Sequence, residues 1–257
     1  MGYKVKYEKI KRCHVGKVYL TGAGPGDKEL LTLKALRLIQ EADVIVYDRL
    51  VNPDILKDAK EGCECIYVGK ENRHHILPQD EINALLYEKA CEHETVVRLK
   101  GGDAVVFGRG GEEALFLASR GIAFEFVPGI TSAIAVPEMV NIPLTHRGKS
   151  VSFRVVTGYE APEKGYAQLD WHSFKQEETI VFLMGLHQLQ NICTQLMHIG
   201  KPAKYPVAVI SRGTLADEKV VVATLETIYE EAKNLPTPAL IVVGEVVGLR
   251  EVLLGER

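Results

Sequence analysis

Between residues 17 and 127 short apolar runs alternate with stretches of helical periodicity, and this alternation restricts the fold more than any other feature of the chain. Residues 18–21, 44–47, 65–68, 95–99 and 124–127 are rich in β-branched and apolar side chains and read as buried strands. Between them, Leu30, Leu31, Leu33, Leu36, Leu38 and Ile39 recur at mixed three- and four-residue spacing, and residues 79–92 and 112–120 carry further helical patterns. Strands joined by helices run parallel and are covered on both faces. The pattern predicts a doubly wound α/β unit.

The pattern changes near Ile142-Pro-Leu-Thr-His-Arg-Gly148, where turn residues separate two strand-rich regions. Beyond it, residues 152–157, 179–184, 206–210, 219–223 and 239–243 read as strands, with helices near 186–199 and 224–233. The strand at 219 follows its predecessor after too few residues for a crossover helix, so this sheet is expected to be mixed. The expected organisation is an extension over residues 1–16, an α/β domain over 17–147 and a second over 148–257. Two such domains imply a cleft between them, a common ligand site.

A net charge of -3 gives no global attraction to nucleic acid or anionic membrane, so neither is expected as a partner. No run of about 18 apolar residues is present, and no apolar stretch follows the N-terminal charges, which points to a cytoplasmic protein without a spanning helix. The cysteines at 13, 63, 65, 91 and 193 are odd in number and lack metal-ligand spacing. Cys63 and Cys65 read as buried thiols on one strand face, and no metal site is expected.

Two turns carry chemistry. In Arg98-Leu-Lys-Gly-Gly-Asp103, Gly101 and Gly102 fall where a strand ends, and Asp103 places an acceptor at the lip of the turn. The segment reads equally as a ligand loop or as a tight turn whose Asp caps the next helix. In Gly22-Ala-Gly-Pro-Gly26, Asp27 stands where a dinucleotide fingerprint needs its third glycine, and Pro25 removes an amide that would cradle a pyrophosphate. A cationic or neutral ligand suits these turns better than a phosphate.

GAGPGD with LLTLKAL, ADVIVYDRLV, RLKGGD with FGRGGEE, VPGITSA, IPLTHR, FLMG, SRGT and PALIVVGEVV occur in this order. The set resembles the tetrapyrrole (precorrin-type) methyltransferase family over roughly residues 17–248, and most closely the members that C-methylate uroporphyrinogen III. The sequence departs at Ala104, where the family usually has proline, at Tyr159, where histidine is common, and at Val140-Asn141 before IPLTHR.

The resemblance implies a two-domain homodimer that transfers methyl groups from S-adenosylmethionine to C2 and C7 of the tetrapyrrole, releasing S-adenosylhomocysteine. The product, precorrin-2, feeds sirohaem and cobalamin synthesis. Carried over by motif, the methyl donor is bordered by Pro25, by Gly101, Gly102, Asp103 and Val106, and by Thr131, Ser132, Met184 and Gly213. Asp48 of YDRLV resembles the proton acceptor and Lys70 of YVGK the proton donor. Read alone, Asp48 would be a helix cap, Lys70 a solvated lysine and Met184 a core residue.

A carboxylate-rich substrate calls for cations in the loops. Arg49, Lys70, Arg73, His74, His75, Arg109, His146 and Arg147 lie in turns, and Arg49, Arg109 and Arg147 are the expected anchors because guanidinium forks bind carboxylates bidentately. Alternatives are a methyltransferase of the same fold acting on a later corrinoid or on diphthamide, and a non-catalytic module that keeps the donor pocket.

Overall fold

The computed structural model describes residues 16–69, 77–158, 169–174 and 177–255. Contacts divide the chain into two compact units, one ending at Ile130 and the next beginning at Thr131. This division precedes the turn at 142–148: Ala133, Val136, Val140, Ile142 and Leu144 are buried with strands of the second unit, so the segment after Ile130 belongs to that unit's core.

In the first unit the strands are β1 (Lys17–Gly22), β2 (Val44–Tyr47), β3 (Glu64–Tyr67), β4 (Thr95–Lys100) and β5 (Ala123–Val127). The helices are α1 (Leu33–Glu41), α2 (Gln79–Glu92) and α3 (Gly110–Ser119). All strand pairs are parallel, in the order β3-β2-β4-β1-β5. Side chains alternate across the sheet. Val18, Leu20, Val44, Val46 and Val96 pack with α2 and α3, while Ile45, Val97 and Leu99 pack with α1 on the opposite face. The connection from β1 moves one way along the sheet and that from β4 moves the other. With right-handed crossovers the two loops diverge to opposite faces. Because β1 and β4 are neighbours, their carboxyl ends form the switch point at which open α/β sheets bind ligands.

The first helix differs from expectation at its start. Asp27 caps a short 3-10 turn, Lys28–Leu30, accepting from the Glu29 amide at 2.9 Å, and α1 begins only at Leu33, where Thr32 Oγ1 accepts from the Ala35 amide. Cys65 is exposed and Cys63 half-buried, which corrects the expected pair of buried thiols. β3 is the edge strand of the sheet, so its outer side chains have no neighbour to cover them. Burial still pushes the Cys63 thiol up to about 11, leaving it protonated at neutral pH.

At the other edge, Glu125 of β5 bonds Lys17 Nζ at 2.5 Å and also Lys34. Hydrogen bonds from these two ammonium groups hold its carboxyl down to about 2 against an ordinary 4.5. A depressed carboxyl stabilises the fold above its unfolded value and loses that contribution as pH falls through the folded one. All three side chains are partly exposed, so solvent screens the interaction. Glu125→Gln is expected to lower unfolding free energy by about 1 kcal/mol at pH 7. In denaturant titrations that deficit should shrink between pH 4.5 and 2.

The second unit contains α4 (Ser132–Met139), β6 (Phe153–Thr157), β7 (Thr179–Leu183), α5 (Leu189–His198), β8 (Pro206–Ser211), β9 (Lys219–Thr224), α6 (Ile228–Ala232), β10 (Ala239–Val243) and α7 (Leu249–Leu254). The sheet order is β6-β7-β10-β8-β9, with β6 and β7 parallel and the remaining pairs antiparallel, the mixed sheet expected. Ile180, Phe182, Val207, Val209, Ile241 and Val243 face α5 and α6, whereas Val181, Ala208, Ile210, Leu240 and Val242 face α4. Among the described residues, no helix is long and apolar enough to cross a membrane.

Candidate functional site

At the carboxyl ends of β1, β4 and β5, three loops meet backbone to backbone. The Gly24 amide donates to Gly102 O at 3.1 Å and the Gly102 amide to Gly24 O at 2.6 Å, an isolated antiparallel bridge that ties the two loops together beyond the parallel β1–β4 pairing. A Cβ on Gly22 would stand 2.5 Å from Gly102 O, and one on Gly129 would stand 2.3 Å from the same atom and 2.6 Å from Gly22 Cα. Nothing larger than glycine fits without separating the loops. Gly102 adopts φ 70°, and a Cβ on Gly101 would stand 2.5 Å from Leu50 Cβ. Pro25 is half-buried between Gly24 and Gly26, both at positive φ. Gly129→Ala is expected to cost about 2–3 kcal/mol by overpacking against rigid backbone. A fall in thermal midpoint with a parallel loss of affinity for S-adenosylhomocysteine would show that this junction shapes the loops; an unchanged midpoint would refute it.

Asp103 binds these loops together. Its Oδ1 accepts from the amides of Val105 and Val106 at 2.8 and 2.9 Å, and its Oδ2 accepts from the Gly129 amide at 3.1 Å. Asp103 thus holds a tight turn but does not cap the next helix: α3 begins behind Arg109, which makes no side-chain cap bond. A carboxylate offers about four acceptor positions, so one remains open beyond these three bonds. Ala104 is buried under α2 and α3, while Val105, Val106 and Phe107 are exposed. Arg109 takes a left-handed conformation, φ 59°, and its fork grips Glu112 at 2.9 and 2.7 Å. This pairing raises the arginine and lowers the glutamate from their ordinary pKa values.

Asp48 follows β2. Its Oδ1 accepts from the Leu50 amide at 3.1 Å, and its Oδ2 lies 3.5 Å from Arg98 Nη2. Its side chain is 28% exposed, so it is reachable from solvent, and Arg49 beside it is exposed. Behind it is a buried charge cluster. Arg98 Nε and Lys100 Nζ both donate to Glu113 Oε1, at 3.1 and 2.8 Å, and Gln79 Nε2 lies 3.3 Å from the same oxygen. Arg98 Nη1 also donates to Val46 O and Leu99 O. Burial, reinforced by the neighbouring Arg98 charge, lowers the Lys100 ammonium below its ordinary pKa. The motifs did not single out this cluster. Its signal was present nonetheless: two basic residues spaced by two in a strand buried on both faces must share a face and need a buried acid opposite them.

Lys70 lies outside the described residues, as do Arg73, His74 and His75. Among the described residues, no three His, Cys, Asp or Glu side chains cluster as a metal site.

In the second unit, Thr131 caps α4, its Oγ1 accepting from the Ala133 amide at 3.4 Å, and Ser132 is the first helical residue. Met184, read alone as core, is 54% exposed and adopts φ 56° just past the end of β7. Holding a non-glycine residue there costs about 1–2 kcal/mol, which marks the position as constrained. Arg212 and Thr214 also have positive φ around Gly213, where a Cβ would meet Val136 Cγ1 of α4 at 2.3 Å. Arg147 is exposed in a turn closed by the His146 amide and Ser150 O at 2.9 Å.

A family model described as Tetrapyrrole (Corrin/Porphyrin) Methylases matches residues 17–229. A protein of Methanocaldococcus jannaschii named uroporphyrinogen-III C-methyltransferase is 52% identical over 237 residues, 91% of this chain and 98% of that one. A siroheme synthase of Methylococcus capsulatus is 50% identical over 241 residues, 93% of this chain but 51% of that protein, so the chain spans about half of it. Among solved structures, uroporphyrin-III C-methyl transferase of Thermus thermophilus complexed with S-adenyl homocysteine matches with a TM-score of 0.78 at 44% identity, covering 91% of this chain and 100% of that one.

Proposed function

We propose that this chain, which belongs to the tetrapyrrole (corrin/porphyrin) methylase family, transfers methyl groups from S-adenosylmethionine to C2 and C7 of uroporphyrinogen III, giving precorrin-2 by way of precorrin-1. The observation that carries this reading is the 52% identity, over 98% of its length, to a relative named for the same C-methylation. Likeness to a solved methyltransferase holding S-adenyl homocysteine supports the choice of donor. The same family reading makes the protein a cytoplasmic homodimer whose product serves sirohaem or cobalamin synthesis.

The loops suit such a donor. It carries a sulfonium, an amino group, a carboxylate and ribose hydroxyls, which call for bare backbone and single acceptors rather than a phosphate cradle. We assign donor contacts in the first unit to Pro25, Gly101, Gly102, Asp103 and Val106, with the open acceptor position of Asp103 available to a hydroxyl. In the second unit, Thr131, Ser132, Met184 and Gly213 are assigned donor contacts on their motifs alone. The exposed thioether of Met184 is a soft, polarisable surface suited to such a donor.

The donor supplies an electrophilic methyl group. As the new carbon–carbon bond forms at a pyrrole carbon, the electron pair of the broken bond stays on sulfur and the macrocycle is left cationic until it loses a proton. Asp48 is the assigned acceptor, taking that proton on its partly exposed carboxylate while the Leu50 amide fixes the orientation of the other oxygen. Lys70 is assigned as proton donor on its motif alone. Arg49, Arg109 and Arg147 are assigned to the substrate carboxylates. Arg109 demonstrates the required fork on Glu112, and an exposed pair worth about 0–1 kcal/mol exchanges readily for another carboxylate.

Mass spectrometry of uroporphyrinogen III incubated with the protein and S-adenosylmethionine tests the reading. Two added methyl groups are expected. No addition, or methylation of a later corrinoid only, would remove the assignment.

A further inference from the structure

We infer that Arg98 is the positioning residue of the proton acceptor, holding Asp48 through a guanidinium anchored on the buried carboxylate of Glu113. The inference rests on the assignment of Asp48 as acceptor. Its basis is a chain of contacts running from the interior to the loop surface. Glu113 is fully buried, and the Arg98 side chain is 4% exposed; Asp48, at the outer end, is 28% exposed.

The guanidinium is held on several sides. Nε donates to Glu113 Oε1 at 3.1 Å, and Nη1 donates to Val46 O at 3.3 Å and Leu99 O at 3.1 Å. Only then does Nη2 face Asp48 Oδ2, at 3.5 Å. Val46 lies two residues before Asp48 on β2 and is the register partner of Arg98, so the same side chain holds both the strand and the carboxylate that ends it. A planar fork can satisfy these directions together, whereas a lysine in its place would carry the charge but not the geometry.

Lys100 gives Glu113 a second cation at 2.8 Å. Lys100 also ends β4 directly before Gly101. One buried carboxylate therefore braces both the acceptor at the end of β2 and the root of the glycine turn after β4. Neither Arg98 nor Glu113 is exposed enough to meet a ligand. Their effect on turnover must pass through Asp48 or through the turn, and these routes separate experimentally. Displacing Asp48 alters kcat, while displacing the turn alters donor affinity.

The test is a kinetic double-mutant cycle of Arg98→Lys with Asp48→Asn, with S-adenosylhomocysteine affinity measured by calorimetry on each variant. Arg98→Lys is expected to lower kcat about tenfold to a hundredfold, the effect of a small displacement of a reacting group, while ligand affinity stays within about twofold. In the Asp48→Asn background the same substitution should change kcat by less than about twofold, because no acceptor remains to be positioned. Glu113→Asp, which keeps the charge but withdraws the anchor, should lower kcat in the same way, and because it also releases Lys100 at the root of the turn it should weaken S-adenosylhomocysteine binding, which Arg98→Lys should not.

Effects that multiply across the cycle would overturn the inference alone. Wild-type kcat in Asp48→Asn would overturn the acceptor assignment and the inference with it. Loss of ligand binding in both Arg98→Lys and Glu113→Asp would reduce the cluster to a structural ion pair and also overturn it.

Discussion

Asp48→Asn is expected to lower kcat about 10²- to 10⁴-fold, the usual contribution of a positioned general base, with S-adenosylhomocysteine affinity unchanged. Asparagine nearly matches aspartate in shape and retains an oxygen for the Leu50 amide, so the loop should keep its course. What it lacks is a basic oxygen. Proton loss from the methylated macrocycle then falls to solvent, and the barrier rises by about 3–5 kcal/mol. The loss should appear in kcat at saturating donor and substrate, since neither ligand's ground-state binding depends on the acceptor's charge in this assignment. Single-turnover measurement of methylated product checks it. An unchanged rate would move the proton to another group and leave Asp48 as a cap for the turn after β2.

The element order was legible because it depends on local pattern. Parallel strands covered on both faces read as largely apolar runs, and β2 announces itself in that way, as do Val18 to Leu20 of β1 and Val96, Val97 and Leu99 of β4. The mixed second sheet was legible for another local reason, the short connection between β8 and β9. Less legible were features set by distant parts of the chain. The unit division at 130 depends on α4 packing beneath β7, β8 and β10, which no local signal before 142 reveals. Gly101 was visible as a turn residue and Gly129 only as part of VPGITSA; the reason for their bareness is the approach of Leu50 and Gly102 from other loops.

Met184 shows the same limit from the other side. Its composition says core, yet a left-handed backbone just past the end of β7 turns it outward. Arg98 and Lys100 lay in plain view within a strand. Only the fold shows that Glu113, one loop later, sits over them at the start of α3, where the helix dipole also favours an acid.

Glu113→Ala should destabilise the protein by about 3–5 kcal/mol at pH 7, as expected when one member of a buried ion cluster is removed and its partners stay behind. Glu113 is wholly buried, and the side chains of Arg98 and Lys100 are 4% and 6% exposed, so water cannot replace the lost carboxylate. The two stranded cations then respond differently. A guanidinium keeps its charge at any pH a protein survives. Lys100 can shed its proton, since burial and Arg98 already lower its pKa, and without Glu113 the lowering deepens. A lysine whose folded pKa lies below its unfolded value destabilises the fold fully below the folded value, and the penalty fades as pH rises toward the ordinary 10.5. The difference in unfolding free energy between wild type and variant should therefore narrow between pH 7 and pH 10 in urea titrations. Adding Lys100→Met to Glu113→Ala should recover part of the loss at pH 7, because one of the two buried cations that lost Glu113 has gone. If the single variant were as stable as wild type, or if the second substitution destabilised it further, Glu113 would not be the counter-charge of this cluster.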